Sequence, residues 1–190
     1  MPALLNHIDP NGLEEFSVVF TDRSLNHMSK EFQKVMCDLS SNLKEVYNAS
    51  AVVLVPGGGT FAMEAVARQF GIEANVMVIR NGWFSYRWSQ IFESSSNARS
   101  TTVLKARMIG NEPLAPFRPA EVDEVIKKIK ADKPDIVFAP HVETSAGVIL
   151  PDDYLAAMTS AAHEVGALMV LDCIASGLSL IHISEPTRRY

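Results

Sequence analysis

The sequence contains few of the features that mark secreted, membrane-bound or nucleic-acid-binding proteins. It has only two cysteines, Cys37 and Cys173, and neither stands at a disulfide or metal-ligand spacing, so we expect reduced thiols. No window approaches the roughly 20 apolar residues of a membrane span, and the N-terminal segment lacks the pattern of a secretory signal. The net charge is -5, and the cations are scattered among acids, which leaves no basic stripe for nucleic acid. We therefore expect a cytoplasmic protein with neither nucleic-acid nor membrane partners.

Two further absences concern metal ligands and lysine. His141 has no second His or Cys at ligand spacing nearby, so we predict no metal site. No lysine follows Lys133 in the sequence.

The residues that are present predict alternating helices and strands. A long amphipathic helix with one buried face is expected between residues 29 and 48, where apolar side chains recur at helical spacing. Short apolar runs then predict buried strands at residues 51–55, 75–79, 101–106, 135–139 and 167–171. Helical stretches lie between them, at residues 61–70, 83–93, 121–131 and 152–165. This alternation predicts an α/β fold with a mostly parallel sheet flanked by helices.

A glycine-rich loop at residues 55–60 separates the first of these runs from a helix. Its backbone N–H groups are suited to an anion; a tight turn without a ligand is the alternative, because glycine clusters are common in turns. A nucleoside-triphosphatase loop would need a lysine after the glycines, and none is there. A dinucleotide-binding loop built on Gly57, Gly59 and Ala62, with Arg80 for an NADP phosphate, remains an alternative.

Four aromatic residues follow the Asn-Gly turn at the end of the next strand. We expect Trp83, Tyr86 and Trp88 to lie in the core, because aromatic side chains are more often packed than used as a ligand platform. This expectation does not include Phe84.

Polar groups also cluster after the fourth and fifth apolar runs. His141, Glu143, Thr144 and Ser145 stand beside a buried element, where unpaired polar groups are costly. Asp172 closes the last run, where its carboxylate could pair with a protonated pyridine nitrogen or simply cap the following turn. Ligands gather at the carboxyl ends of parallel strands, so we expect these residues to lie near one another.

Taken in order, four segments resemble the class V aminotransferases, nearest the alanine-glyoxylate and serine-pyruvate type. The segments read Gly-Gly-Gly-Thr-Phe-Ala-Met-Glu-Ala65, Asn-Gly-Trp-Phe-Ser-Tyr-Arg87, His-Val-Glu-Thr-Ser-Ala-Gly-Val148 and Asp-Cys-Ile-Ala-Ser176. The resemblance implies the N-terminal part of the large domain of the aspartate-aminotransferase-like fold, incomplete here, and pyridoxal 5′-phosphate as cofactor.

The resemblance also implies a role for each site residue. Gly59 and Thr60 would hold the cofactor phosphate, and Phe84 would stack on the pyridine ring. Thr144 would bond the ring hydroxyl, and Asp172 would pair with the ring nitrogen. His27 would approach the substrate. Three further residues would support the cofactor: Glu143, Ser145 and Ser176.

The chain departs from the family pattern after Gly177. Family members carry the Schiff-base lysine further along, whereas residues 178–188 resemble a translated sequencing-library adaptor. We therefore divide the chain into an N-terminal segment with the first helix (1–50), a partial cofactor-binding domain (51–177) and a non-native tail (178–190). Without the later family strands, residues 51–55 should either be poorly paired or close against a non-native neighbour, and the exposed apolar edges should favour aggregation.

The function implied for the parent protein is transfer of an amino group from alanine or serine to glyoxylate or pyruvate, by a homodimer. Without the lysine, the chain itself should be inactive. Another class V activity, such as a desulfurase or lyase, is an alternative within the family. An NADP-binding oxidoreductase and a non-enzymatic binding module are alternatives outside it.

Overall fold

The computed structural model describes residues 14–15, 24–25 and 29–177. It divides into two compact units, one reaching Leu54 and the other beginning at Val55.

The first unit is dominated by one helix. Strands β1 (Glu14–Glu15) and β2 (Ser24–Leu25) pair antiparallel, and α1 spans Lys30–Tyr47. The Ser29 hydroxyl caps α1 by accepting a hydrogen bond from the N–H of Phe32 at 3.1 Å. The predicted helix is confirmed.

The predicted buried face of α1 is wrong. No residue of the helix is buried, and Val35, Leu39 and Val46 on its apolar side are exposed. Within the described part of this unit the strands are only two residues long each, too few to bury one face of a helix of 18 residues.

The second unit alternates helices and strands as predicted. Its elements are α2 (Gly59–Phe70), β3 (Asn75–Arg80), α3 (Trp83–Ser95), β4 (Ser100–Lys105), β5 (Arg107–Met108), β6 (Phe117–Arg118), α4 (Val122–Asp132), β7 (Ile136–Pro140), β8 (Val142–Glu143), β9 (Val148–Ile149), α5 (Asp152–Glu164) and β10 (Leu168–Asp172). The short strands form two antiparallel pairs, β5 with β6 and β8 with β9.

The four longer strands form one parallel sheet in the order β10-β7-β3-β4. The register aligns Val76 of β3 with Ile136 of β7, and Asp172 of β10 with Pro140 of β7. All five residues of β7 are buried, as expected for an inner strand. The predicted α/β fold with a parallel sheet is confirmed.

Helices cover both faces of this sheet because successive strand residues point to opposite sides. Met77, Ile79 and Val137 share one apolar cluster with residues of α4 and α5. Val76 and Phe138 belong to the other cluster, with residues of α2 and α3.

Residues 51–55 correct the sequence prediction, because they form no strand. Val53 is 82% exposed rather than buried. Among the described residues no strand pairs with this run, and an apolar segment without a hydrogen-bonding neighbour gains nothing from extended geometry. The expectation of poor pairing is met.

No helix among the described residues combines the length and apolar character that crossing a bilayer requires.

Candidate active site

Polar groups of the second unit lie at the carboxyl ends of β3 and β7, where the helices that follow the strands switch from one face of the sheet to the other. From β3 the chain passes through α3 on one face, and from β7 it passes to α5 on the other face. Because β3 and β7 are neighbours, an α/β sheet is expected to offer a ligand a crevice at this point, beyond the carboxyl ends of the two strands.

The loop after β7 caps the first turn of α3. The N–H of Trp83 donates to Ser145 Oγ at 2.8 Å. The N–H groups of Phe84 and Ser85 donate to the two carboxylate oxygens of Glu143, at 3.1 and 2.8 Å. The first three N–H groups of α3 are therefore all committed to two side chains of one loop.

Two hydroxyls complete the surroundings of the Glu143 carboxylate. Ser85 Oγ donates to Glu143 Oε2 at 2.6 Å, and the Ser145 hydroxyl donates to Glu143 Oε1. Ser85 Oγ also accepts hydrogen bonds from the N–H groups of Asn81, at 2.8 Å, and Gly82, at 3.1 Å. Burial alone would raise the pKa of Glu143, but the hydrogen bonds from Ser145, Ser85 and Phe84 lower it below its ordinary value. The carboxylate is therefore buried and ionised.

Gly82 makes this arrangement possible by its lack of a side chain. An added Cβ would lie 2.6 Å from Glu143 Cγ and would also clash with Ser145 Oγ. The backbone of Gly82 is extended, with φ of 177°, so space rather than backbone conformation requires glycine here.

The aromatic residues of α3 divide between core and surface. Trp88 is buried, with its ring 4.4 Å from that of Phe138, as predicted. Trp83 is 61% exposed, so the core prediction is wrong for it: this first residue of α3 lies outside the apolar cluster that contains Trp88. Tyr86 is only half-buried, against the prediction, and the Arg80 guanidinium lies 4.8 Å from its ring centre.

Phe84 and Thr144 both present their side chains at the surface. Phe84 is 51% exposed although its backbone is held by Glu143. Thr144, the next residue after Glu143, is exposed as well. An exposed phenyl ring and an exposed hydroxyl thus follow neighbouring strands.

The start of α2 differs from the starts of the other helices of this unit. Gly58 provides no side-chain cap, and the first turn contains no acid. Helices α4 and α5 carry acids in their first turns, and Glu143 supplies one to α3. Among the described residues, no acceptor is found for the N–H groups of Gly59 and Thr60. The N-terminus of α2 is therefore the one suited to an external anion.

Gly59 also lies against the segment that follows β10. A Cβ on Gly59 would lie 2.9 Å from Ile174 Cδ1. The glycine loop and the turn after Asp172 therefore adjoin, as expected for residues at one edge of the sheet.

Asp172 ends β10 beside the start of the β7 loop. Its backbone carbonyl accepts a hydrogen bond from the N–H of His141 at 2.9 Å. Its Oδ1 caps the turn by accepting from the N–H of Ile174 at 3.1 Å, while Oδ2 accepts no hydrogen bond within the described residues. The carboxylate therefore caps the turn and still retains an oxygen for a ligand.

The turn after Asp172 is held by its own residues. Ser176 is buried, its N–H donates to the carbonyl of Cys173 at 3.1 Å, and its hydroxyl donates to the same oxygen at 3.5 Å. Burial raises the pKa of the Cys173 thiol, which favours the neutral form beside Asp172.

The sequence prediction missed several residues of this region. Ser85 and Gly82 were not identified, because serine and glycine at a helix start are ordinary capping residues. Asn81 is buried and its side-chain amide has no partner in the structure, which no sequence pattern signals. His27 and the tail at 178–190 lie outside the described residues, and their predicted roles stay predictions.

No group of three or more His, Cys, Asp or Glu in the described part of the chain is arranged to hold a metal ion.

Fold and site together define an α/β protein whose polar groups converge at the carboxyl ends of parallel strands. A family model described as aminotransferase class-V matches residues 14–183. The chain belongs to the class-V aminotransferase family, which confirms the resemblance seen in the sequence.

Relatives by sequence agree with this family but extend well beyond the chain. An uncharacterized aminotransferase of Helicobacter pylori is 27% identical over 144 residues, which are 75% of this chain and 36% of the relative. The soluble hydrogenase 42 kDa subunit of Anabaena cylindrica is 30% identical over 156 residues, 80% of this chain and 38% of the relative. The chain therefore spans well under half the length of these curated relatives.

Solved structures show the same fold. Ureidoglycine-glyoxylate aminotransferase from Bacillus subtilis is 25% identical with a TM-score of 0.60, covering 77% of this chain and 35% of that one. Alanine-glyoxylate aminotransferase from Nostoc sp. is 22% identical with a TM-score of 0.62, covering 80% and 38%. The predicted cofactor is confirmed for the family, whose members depend on pyridoxal 5′-phosphate.

Proposed function

We propose that the chain supplies the cofactor-binding part of a transaminase that moves an amino group from alanine or serine to glyoxylate or pyruvate. Family membership supports aminotransferase chemistry, and the glyoxylate aminotransferases among the solved structures favour glyoxylate as the acceptor. We also propose a cytoplasmic location and a homodimeric full-length protein.

The observation that carries the proposal is the uncommitted N-terminus of α2 beside the turn after Asp172. Pyridoxal 5′-phosphate has a dianionic phosphate at one end and a ring nitrogen at the other. The N–H groups of Gly59 and Thr60, with the exposed Thr60 hydroxyl, would hold the phosphate. Gly59 itself lies close to the turn after Asp172, since a Cβ on it would lie 2.9 Å from the end of the Ile174 side chain.

The other residues would orient the ring. Phe84 would stack on it with its exposed face, and the Thr144 hydroxyl would bond the ring oxygen. Asp172 Oδ2 would accept a hydrogen bond from the protonated ring nitrogen and keep that nitrogen protonated. When bound, the cofactor supplies the electron sink that stabilises a carbanion at the substrate.

No lysine follows Lys133, so within this chain the cofactor would be held by noncovalent contacts alone. We therefore propose that the 190-residue chain is catalytically inactive.

Titration of the chain with pyridoxal 5′-phosphate and, separately, with NADPH tests the proposal. Saturable quenching of tryptophan fluorescence by pyridoxal 5′-phosphate, without quenching by NADPH, is expected. Asp172→Asn should weaken this binding about tenfold, because it removes a charge-assisted hydrogen bond. Asp123→Asn, an exposed acid in the first turn of α4, serves as control and should bind normally.

Two results would contradict the proposal. One is binding of NADPH in preference to pyridoxal 5′-phosphate, which would favour a nucleotide site at Arg80. The other is equal affinity of the Asp172 and Asp123 variants, which would remove Asp172 from the site.

A further inference from the structure

The Glu143 carboxylate joins two loops that are far apart in the sequence. Its oxygens accept four hydrogen bonds, from Phe84 N, Ser85 N, Ser85 Oγ and Ser145 Oγ. Three of these donors belong to a segment 58 or 59 residues earlier in the chain. Glu143 is fully buried, so it cannot touch a ligand in the crevice.

Two groups next to these contacts, the Phe84 ring and the Thr144 side chain, are nevertheless exposed. Phe84 is fixed through its backbone N–H while its ring stays exposed. Thr144 directly follows Glu143, so the position of its backbone depends on the same contacts. One buried carboxylate thus sets the position of an exposed ring relative to an exposed hydroxyl.

Among the described residues, hydrogen-bond donors and no cation balance the charge of Glu143. Within the described residues no Lys, Arg or His forms a salt bridge with it. Its partners are hydroxyls and the N-terminal N–H groups of the 13-residue helix α3, whose dipole favours a negative charge. Both oxygens face donors only, so a side-chain amide at this position would turn an NH₂ group toward other donors.

We infer that Glu143 is a positioning residue, which holds Phe84 and Thr144 in register for a flat, ring-bearing ligand without touching that ligand. The identity of the ligand rests on the proposed function. The positioning itself rests on the hydrogen bonds alone.

The first test is hydrogen exchange in the full 190-residue chain carrying Glu143→Gln. Exchange at the backbone amides of Phe84 and Ser85, followed by NMR, should accelerate about tenfold or more, since hydrogen bonds to a charged group are the stronger ones. Glu124→Gln is the matched control, because Glu124 accepts an exposed salt bridge from Arg107 at 2.6 Å. That control should leave the exchange rates of both amides unchanged.

The second test separates ring binding from phosphate binding. In the Glu143→Gln chain, affinity for pyridoxal 5′-phosphate should fall about tenfold, while affinity for inorganic phosphate should stay within about twofold. This split is expected because the N-terminus of α2 does not depend on Glu143. If Glu143 had a purely structural role, the substitution would instead lower the affinity for both ligands equally.

A second variant keeps the test informative if Glu143→Gln fails to fold. Ser145→Ala retains the carboxylate but removes the acceptor of the Trp83 N–H and one donor to Glu143. It should speed exchange at Trp83 and weaken pyridoxal 5′-phosphate binding severalfold, again without loss of inorganic phosphate.

Unchanged exchange at Phe84 and Ser85 in a folded Glu143→Gln chain would overturn the inference, as would equal losses of both ligands. If the unsubstituted chain binds inorganic phosphate but no pyridoxal 5′-phosphate, the proposed function fails. The exchange measurement still decides the role of Glu143 in that case.

Discussion

Single residues decide how closely the two loops of the site approach each other. At Gly82 the absence of a Cβ lets Glu143 and Ser145 reach the first turn of α3. Its neighbour Asn81 is buried with an unpaired amide, a cost that the surrounding contacts must offset. The residues that shape the site are therefore different from those that would touch a ligand.

Gly82→Ala should destabilise the second unit by about 1–3 kcal/mol, because the new methyl would overlap Glu143 and displace the cap. Gly58→Ala is the matched control, since its added Cβ would meet nothing within 4 Å. That control should cost about 1 kcal/mol or less, the effect of alanine at an N-cap. Urea unfolding measures both, and equal losses would contradict the steric argument.

Ser85 shows why the residues that shape the site could not be predicted from the sequence. Its hydroxyl binds Glu143 across 58 residues, yet a serine in the first turn of a helix is an ordinary local cap. The acid at Glu143 and the exposed ring at Phe84 could be named from their motifs. Their connection through Ser85 depends on the neighbouring placement of β3 and β7, which no local pattern encodes.

At the level of elements, α1 and α4 have similar patterns and different surroundings. Both repeat apolar residues at helical spacing. In α4 the apolar face, with Val125 and Ile129, packs into the core of the sheet, whereas in α1 it stays exposed. Periodicity predicted both helices correctly but could not predict which of them finds a partner.

This difference in burial between α1 and α4 should appear in the free energy of unfolding. Ile129→Ala should cost about 2–5 kcal/mol, since the side chain is fully buried. Leu39→Ala on the exposed face of α1 should change the free energy of unfolding by about 0.5 kcal/mol or less. Denaturant titration of both variants tests this, and a large loss for Leu39→Ala would mean that the face of α1 is covered in solution.

The apolar runs show that a local pattern cannot predict which segment finds a partner strand. Residues 167–171 and 51–55 have comparable compositions, but only the first finds a neighbouring strand, β7. A strand is defined by its partner as much as by its own residues. The short-range pattern predicted all five apolar runs as strands; four of these predictions are confirmed, and the one for residues 51–55 is wrong.

Considered as a whole, the second unit carries many large apolar side chains at its surface. Strand β10 pairs only with β7 among the described residues, which leaves its other edge open, and Leu168 on it is 52% exposed. Phe61, Phe70 and Ile174 are exposed as well. Open strand edges with apolar residues favour pairing between molecules.

We therefore expect the purified chain to associate as its concentration rises, with an increase in light scattering and no single, reversible unfolding transition. Leu168→Lys should reduce the association, because a charge on an open edge opposes strand pairing. Leu114→Lys is the control, since Leu114 is 95% exposed but lies in the loop between β5 and β6. A monomer that unfolds reversibly in one step would contradict this expectation.

The span of the Glu143 contacts has a consequence for how the protein reaches its native state. Hydrogen bonds between residues 58 to 62 positions apart close a large loop, and the entropy of that closure is offset only once β3 lies beside β7. The cap on α3 is therefore expected to form late, after the central strands have paired. A nascent chain would acquire its sheet first and its binding crevice last.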